Sequence, residues 1–307
     1  MSAGPSNSAT PIEKLPFWRT FADAHHGVIC AGVDFWRFAG VWLLVLLVLD
    51  GMSNWLSWPL QDNTPGHMPG EVVLLPVLLP LVSLLLWIVV GGIVGVPLHR
   101  RLLADRIAAV GAARLPAGAR TYRLYIVRNI VIAVIASLPF FAVIFVGLPL
   151  VDTSAAQMAT TAPITAGEVA DVSADLDWTG GSPLIGPAFV IGALVLMTPL
   201  FALMAYIPVR LSLALPATAI DSPEQTFKHA WGESRGSFWR LFWGGLLSYW
   251  PLLPVTALEY AATGFESPSQ VHYVICQSIA TAAGFLAGLI WVAFFSLAYR
   301  HLVPKPI

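Results

Sequence analysis

Nearly uncharged apolar runs long enough to cross a bilayer recur six times in this 307-residue chain, and nothing else in the sequence narrows the fold so far. A helix of about 20 apolar residues spans the ~30 Å hydrocarbon core. Within that core only helices and closed barrels satisfy their own backbone. The runs fall at about 38–58, 72–98, 129–151, 183–207, 238–262 and 271–299. They predict an all-α fold: a polytopic transmembrane bundle of six helices, forming a single domain over 16–307. Composition agrees, at 57% hydrophobic and 11% charged, where soluble domains carry ~25% charged residues. The polar start, Met1 to Pro16, has no apolar core, so no cleavable signal peptide is expected. Residues 1–15 read as a disordered cytoplasmic arm.

The net charge of −1 hides a one-sided distribution. Lys14, Arg19 and Arg37 precede the first run, and seven arginines from Arg100 to Arg128 lie between the second and third. Arg210, Lys228, Arg235 and Arg240 lie between the fourth and fifth, and Arg300 and Lys305 follow the sixth. No Lys or Arg occupies the alternate loops. The positive-inside rule then places both termini in the cytoplasm of a multi-pass membrane protein. On that face Glu13, Asp23, Asp34, Asp105, Asp221, Glu224 and Glu233 offset seven of the 16 cations and leave +9. Such a surface is expected to lie against anionic headgroups of membrane lipids, not nucleic acid. The opposite loop, 152–182, holds Asp152, Glu168, Asp171, Asp175 and Asp177 and no cation, so it reads as an acidic periplasmic loop. Arg far outnumbers Lys and Ala is abundant, which points to a bacterial inner membrane.

The joint from Tyr206 to Trp243 organises the chain. Ser222-Pro223-Glu224-Gln225 carries the marks of a helix start: a capping Ser, Pro at the first position and a capping-box Gln. Phe227, Ala230 and Trp231 then share a face, Gly236 suits a left-handed end, and Ser237 can cap the next helix. This predicts an elbow helix lying in the membrane interface. Pro16 to Ala24 predicts another, with Phe17, Phe21 and Ala24 on one face, followed by a solvated turn at His25-His26. An internal echo links the two. Thr20-Phe21-Ala-Asp-Ala24 before Phe35-Trp36-Arg37-Phe38 matches Thr226-Phe227-Lys-His-Ala230 before Phe238-Trp239-Arg240-Leu241. Trp36, Arg37, Trp231, Trp239 and Arg240 are therefore candidate interface anchors, ring at headgroup depth and guanidinium on phosphate. Tyr122 and Tyr125 are expected to anchor the third span in the same way. Close packing is expected at Gly91 and Gly95 and along Ala280, Gly284 and Gly288.

Groups that could carry chemistry are few. The His25-His26 pair has no third ligand at helical spacing. The aspartates of 152–182 could hold a weak Ca²⁺, but they read as a solvated acidic linker. Cys30 and Cys276 fall near opposite membrane faces, which does not indicate a disulfide. No zinc, phosphate-loop or nucleophile-elbow motif is present, so neither a cofactor nor catalysis is expected. Deep inside the spans ionisable groups are few: Asp50 is near mid-span, and Glu259 is in the outer part of the fifth. Either could face a polar cavity or be satisfied near the interface by Ser53, Asn54 or Tyr260. Arg210, at the end of the fourth run, is the remaining candidate functional polar residue.

The joint's Arg210-Leu-Ser-Leu-Ala-Leu-Pro-Ala-Thr-Ala-Ile-Asp221, its Ala230-Trp231 and Arg235-Gly-Ser-Phe-Trp-Arg240, and His99-Arg100 resemble a pattern in uncharacterised six-span bacterial inner-membrane proteins. These are similar to the membrane domain of glycerophosphoryl diester phosphodiesterase. The resemblance implies a six-helix membrane domain; the catalytic domain that accompanies it in the phosphodiesterase is not expected in these 307 residues. Two functions are expected of such a chain. One is a non-catalytic membrane scaffold, or an assembly or envelope-associated factor, acting through its basic face with a homo-oligomer or membrane-protein partner. The alternative is a transporter or lipid-handling protein that uses Asp50 in a polar cavity.

Overall fold

A computed structural model describes residues 15–61, 74–109, 117–137, 205–222, 226–262 and 270–303. Every regular element among them is helical. In chain order these are α1 (Phe17–Ile29), α2 (Val33–Gln61), α3 (Leu74–Leu102), α4 (Ala104–Ala109), α5 (119–137), α6 (205–211) and α7 (Ala214–Ala219). Then come α8 (Phe227–Glu233), α9 (Phe238–Leu247), a 3-10 turn at Trp250–Leu252, α10 (Leu253–Ala262) and α11 (Gln270–Leu302). Four stretches are long and apolar enough to cross a membrane: Val33–Trp55, Val82–Leu102, Phe238–Leu258 and Gln270–Leu302. The arm 1–14, the loop 152–182, most of the runs at 129–151 and 183–207 and the Glu259 side chain lie outside the described residues. The chain divides into two compact units, 1–131 with 209–307, and 132–208. The second is described only at 132–137 and 205–208, both helical. All that follows concerns the first.

Helix α11 is the axis. Its 33 residues extend about 50 Å at 1.5 Å per residue. From Phe285 onward nearly every side chain is buried, so the helix is apolar on all sides and covered on all sides. Cross-helix contacts fix its neighbours' directions. Trp87 faces Gly284, Gly95 faces Val292 and His99 faces Ser296, so α3 runs parallel to α11. Asp50 meets Thr281 and Trp55 meets Gln270, so α2 runs antiparallel. Gly244 packs on Phe294 and Leu252 approaches Gly284, so α9 and the turn after it also run antiparallel.

Helix α2 buries Phe35, Ala39 and Leu46 on one stripe, while Val41, Leu44, Val48, Met52 and Trp55 on the other faces stay exposed. Exposed apolar side chains recur at Val82, Leu84 and Leu85 of α3 and at Val271, Ile275 and Ile279 of α11. In water these would make an apolar patch far beyond that of an ordinary soluble monomer. Lipid tails are the solvent that such a surface fits.

Several expectations are corrected. His25 and His26 do not form a turn. Helix α1 continues to Ile29 because Thr20, Ala24 and Val28 keep one buried face, and Gly32, at φ 87°, makes the turn instead. Helix α8 starts at Phe227, not at Pro223: Thr226 is its N-cap and accepts from the His229 amide at 3.2 Å. Gly236 does take a left-handed conformation, at φ 82°. The run 238–262 is not one helix. Pro251 lies in the 3-10 turn and Pro254 opens α10, and neither ring can continue the ladder of α9. Close approach holds at Gly95 but otherwise falls elsewhere than expected. A Cβ on Gly92 would lie 2.6 Å from Ile126 Cγ1 and one on Gly95 2.9 Å from Tyr125 Oη, whereas Gly91 only reaches Asn129 at 4.0 Å. On α11, Gly288 meets nothing within 4 Å; the tight contact is Gly244 on α9, whose Cβ would sit 1.9 Å from Phe294 Cζ.

Candidate functional site

The densest polar construction gathers the basic segments around α7. Its six residues, Ala214–Ala219, are all buried, so its terminal carbonyls cannot turn to water and need internal donors. The chain supplies them by reversing at Asp221, which sits at φ 53°. The Asp221 amide donates to Thr218 O at 3.1 Å and the Ser222 amide to Ala217 O at 3.0 Å. That pair of bonds is the Schellman closure, with Asp where Gly is usual. Ser222 thus finishes α7 and does not begin α8. Arg100 Nη1 donates to Ala219 O at 3.0 Å and lies 3.3 Å from Asp221 Oδ2, while Thr121 Oγ1 donates to Asp221 Oδ1 at 2.7 Å. Arg128 Nη1 donates to Thr218 Oγ1, which in turn donates to Ala214 O at 2.6 Å. Partial burial pulls the pKa of Arg128 below its ordinary value; a guanidinium still keeps its proton.

Arg210, four residues before α7, is only 5% exposed. Its Nε donates to Ser234 Oγ at 2.8 Å, its Nη2 donates to Trp231 O, and its guanidinium stacks 3.9 Å from the Trp231 ring. Ser234 Oγ also donates to Trp231 O, at 3.1 Å. A seven-residue helix such as α8 is too short to be stable alone. One buried cation at its last turn, where carbonyls are left over, and one Thr cap at its first hold it. Trp231, an expected interface anchor, stacks on Arg210 and remains 37% exposed.

A third construction crosses from α3 to α5 and α11. Ser296 Oγ donates to Val292 O at 2.7 Å, so it can only accept from His99 Nδ1, 2.6 Å away. His99 Nε2 is then the acceptor for the Tyr125 hydroxyl at 3.0 Å. The three bonds run in one direction and fix a neutral imidazole protonated on Nδ1. Tyr125 is fully buried, not an interface anchor, and burial raises its phenol well above the ordinary value, which keeps it a donor. Gly95 leaves the space its hydroxyl occupies.

Deeper in the unit, Asp50 accepts from Ser83 Oγ at 3.3 Å and from Thr281 Oγ1. Its partners thus come from α3 and α11, and not from its own helix as Ser53 or Asn54 would. Of the anchors, Trp36 packs against the core. Arg37 is exposed and lines a cavity of about 500 Å³ with Ile29, Cys30, Gly32, Val33 and Trp36. Trp239 is 59% exposed and lines a groove of about 430 Å³ with Phe17, Trp18, Trp243 and Leu247. Arg240 lines the same groove, but its Nη1 donates to Leu15 O at 2.6 Å, tying down the entry to α1. His25, one of the expected turn residues, accepts from Trp250 Nε1 at 2.7 Å. Both cysteines are free. Among the described residues no three His, Cys, Asp or Glu side chains cluster as metal ligands would.

No family model matches the chain, no curated protein matches it, and no solved structure matches its fold. Sequence reading singled out Arg210 and Asp50, placed Tyr125 at the interface and named His99 only within a resemblance, and missed Ser296, Thr121, Thr218 and Ser234. The one signal available for these was polar residues placed at the ends of apolar runs, where buried helix termini need partners. Chemically, the polar groups around α7, at Arg210 and along the His99 chain tie helices together.

Proposed function

We propose that this chain is a multi-pass protein of a bacterial inner membrane, with six spans and both termini cytoplasmic, that acts as a non-catalytic scaffold or assembly factor. Two further spans, at about 129–151 and 183–207 and mostly outside the described residues, would complete the four membrane-length stretches. In this reading α1 and α8 are elbow helices at the cytoplasmic interface, and the architecture is of the kind found in the membrane domain of glycerophosphoryl diester phosphodiesterase.

The observation that carries the reading is the use made of the charged groups at the basic end. Arg100 holds Asp221, Arg210 holds Ser234 and Trp231, Arg240 holds Leu15 and Arg300 pairs with Asp105 at 3.2 Å. These ties make a fixed platform out of segments far apart in sequence. The exposed cations around it, such as Arg37, Lys228 and Arg235, are then presented to headgroups or to a partner.

Reconstitution tests this. Purified protein in proteoliposomes should pass no solute from a panel of ions, sugars and amino acids faster than protein-free vesicles. A photo-crosslinking residue at Lys228 or Arg235 should yield a discrete adduct in native membranes. Solute flux that Asp50→Asn abolishes would replace this reading with transport.

A further inference from the structure

We propose that the cavity at the α1–α2 turn seats the phosphate of one anionic phospholipid, with Arg37 and Arg101 as its two cationic ligands. The inference rests on the membrane reading above and adds a site and a ligand class to it.

The cavity has the shape and charge of an amphiphile's upper part. Its wall is apolar at Ile29, Val33 and Trp36, and Ile29 and Val33 are among the most exposed apolar side chains in the protein, at 71% and 66%. Val33 is also the first residue of a membrane-length apolar stretch, and Arg101 lies one residue from the end of another. The cavity therefore sits where two apolar runs end together, at the depth of a lipid's glycerol and phosphate. Two guanidiniums frame it. Arg37 lines it directly. Arg101 lies over the turn, with Nη2 2.9 Å from where a Cβ on Gly32 would be. Only glycine allows this, for two reasons: the left-handed φ of 87° and the space that the guanidinium takes.

Among the described residues neither arginine has a counter-charge, and they are the pair that meets at one apolar-walled cavity. Arg19 pairs with Asp23, Arg100 with Asp221 and Arg300 with Asp105, while among the described residues Arg37 and Arg101 have no acidic partner. Asp34, in the first turn of α2, is exposed and does not line the cavity. Two unneutralised guanidinium forks fit a phosphodiester. The apolar wall between them favours a phosphate that carries acyl chains over a free one. The glycerol and the first acyl carbons would lie on Ile29, Val33 and the Trp36 ring.

Cys30, exposed and lining the cavity, reports occupancy. In Cys276→Ala protein held in neutral detergent, the rate of Cys30 alkylation by N-ethylmaleimide is measured against added phosphatidylglycerol, phosphatidylcholine or inorganic phosphate. Phosphatidylglycerol is expected to slow the reaction, with little effect of the other two. The double variant Arg37→Gln/Arg101→Gln should need roughly tenfold or more phosphatidylglycerol for the same protection. Arg19→Gln, outside the cavity, should need no more than the parent, and Arg37→Lys/Arg101→Lys should fall between. An unchanged unfolding temperature of the double variant shows that it folds. Equal protection by phosphatidylcholine, protection by inorganic phosphate alone, or full protection in the folded double variant each overturn the proposal. Retention in alkali-washed membranes without lipid protection of Cys30 overturns the site alone. Release by the alkaline wash overturns the membrane reading with it.

Discussion

Arg100 and Asp221, 121 positions apart, close the same helix end: one guanidinium meets both the Ala219 carbonyl at 3.0 Å and the carboxylate of the residue that reverses the chain. Asp221 accepts a left-handed backbone that costs an L-residue roughly 1–2 kcal/mol. Its carboxylate, held by Thr121 and Arg100, offsets that cost. Asp221→Ala keeps the strain and loses both bonds, whereas Asp221→Gly loses the bonds and the strain. Thermal unfolding in detergent should show Ala to be worse than Gly by about 1 kcal/mol. Equal unfolding temperatures would mean that the turn is not strained.

Arg210 is expected to tolerate no other cation. Lysine keeps the charge but cannot reach Ser234 Oγ and Trp231 O together while lying flat on the indole. Arg210→Lys should cost about 1–3 kcal/mol and expose the α8 segment to protease. A lysine variant that matches the parent in both respects would show that charge alone is needed there.

The two glycines at the centre of α9 and α11 should behave oppositely. Gly244→Ala would push a methyl carbon to within 1.9 Å of Phe294 Cζ, an overpacking that typically costs about 1–3 kcal/mol. Gly288→Ala meets nothing within 4 Å and should be neutral, or stabilising by up to about 1 kcal/mol through helix propensity. Unfolding temperatures of the two variants decide it, and a destabilising Gly288→Ala would favour the small-residue stripe read from sequence.

Asp50 receives two hydroxyl donors from two helices, and its amide isostere replaces one of the two acceptor oxygens by a donor, so one hydroxyl loses its acceptor. Asp50→Asn should lower stability by about 1–2 kcal/mol and should exceed the effect of Glu259→Gln. Matching unfolding curves for both variants would remove Asp50 from the set of structural ties.

What the sequence made legible is what depends on local length and composition. The helices α2, α3 and α11 follow from apolar runs because a bilayer imposes one length on each. The start of α5 was not legible. Arg120 and Arg123 interrupt the apolar run, so the helix was expected to begin near 129, yet it begins at 119 and carries Thr121 and Tyr125 inward. Pro251 and Pro254 were visible, but whether a helix bends or breaks at them depends on neighbours that satisfy the freed carbonyls. In the site, Arg210 stood out as a lone cation ending an apolar run. Its partners did not, since Ser234 lies 24 positions on with no periodic relation to it. His99 reaches Tyr125 across 26 positions and Ser296 across 197, pairings that only the packed helices define.

The orientation of the basic platform underlies the whole account, and accessibility of single cysteines measures it most directly. With Cys30 and Cys276 replaced, Thr161→Cys and Ala117→Cys are exposed in intact cells to a thiol reagent that cannot cross the inner membrane. The account predicts labelling at position 161 and none at 117 until the membrane is opened. Labelling at 117 but not at 161 would contradict it.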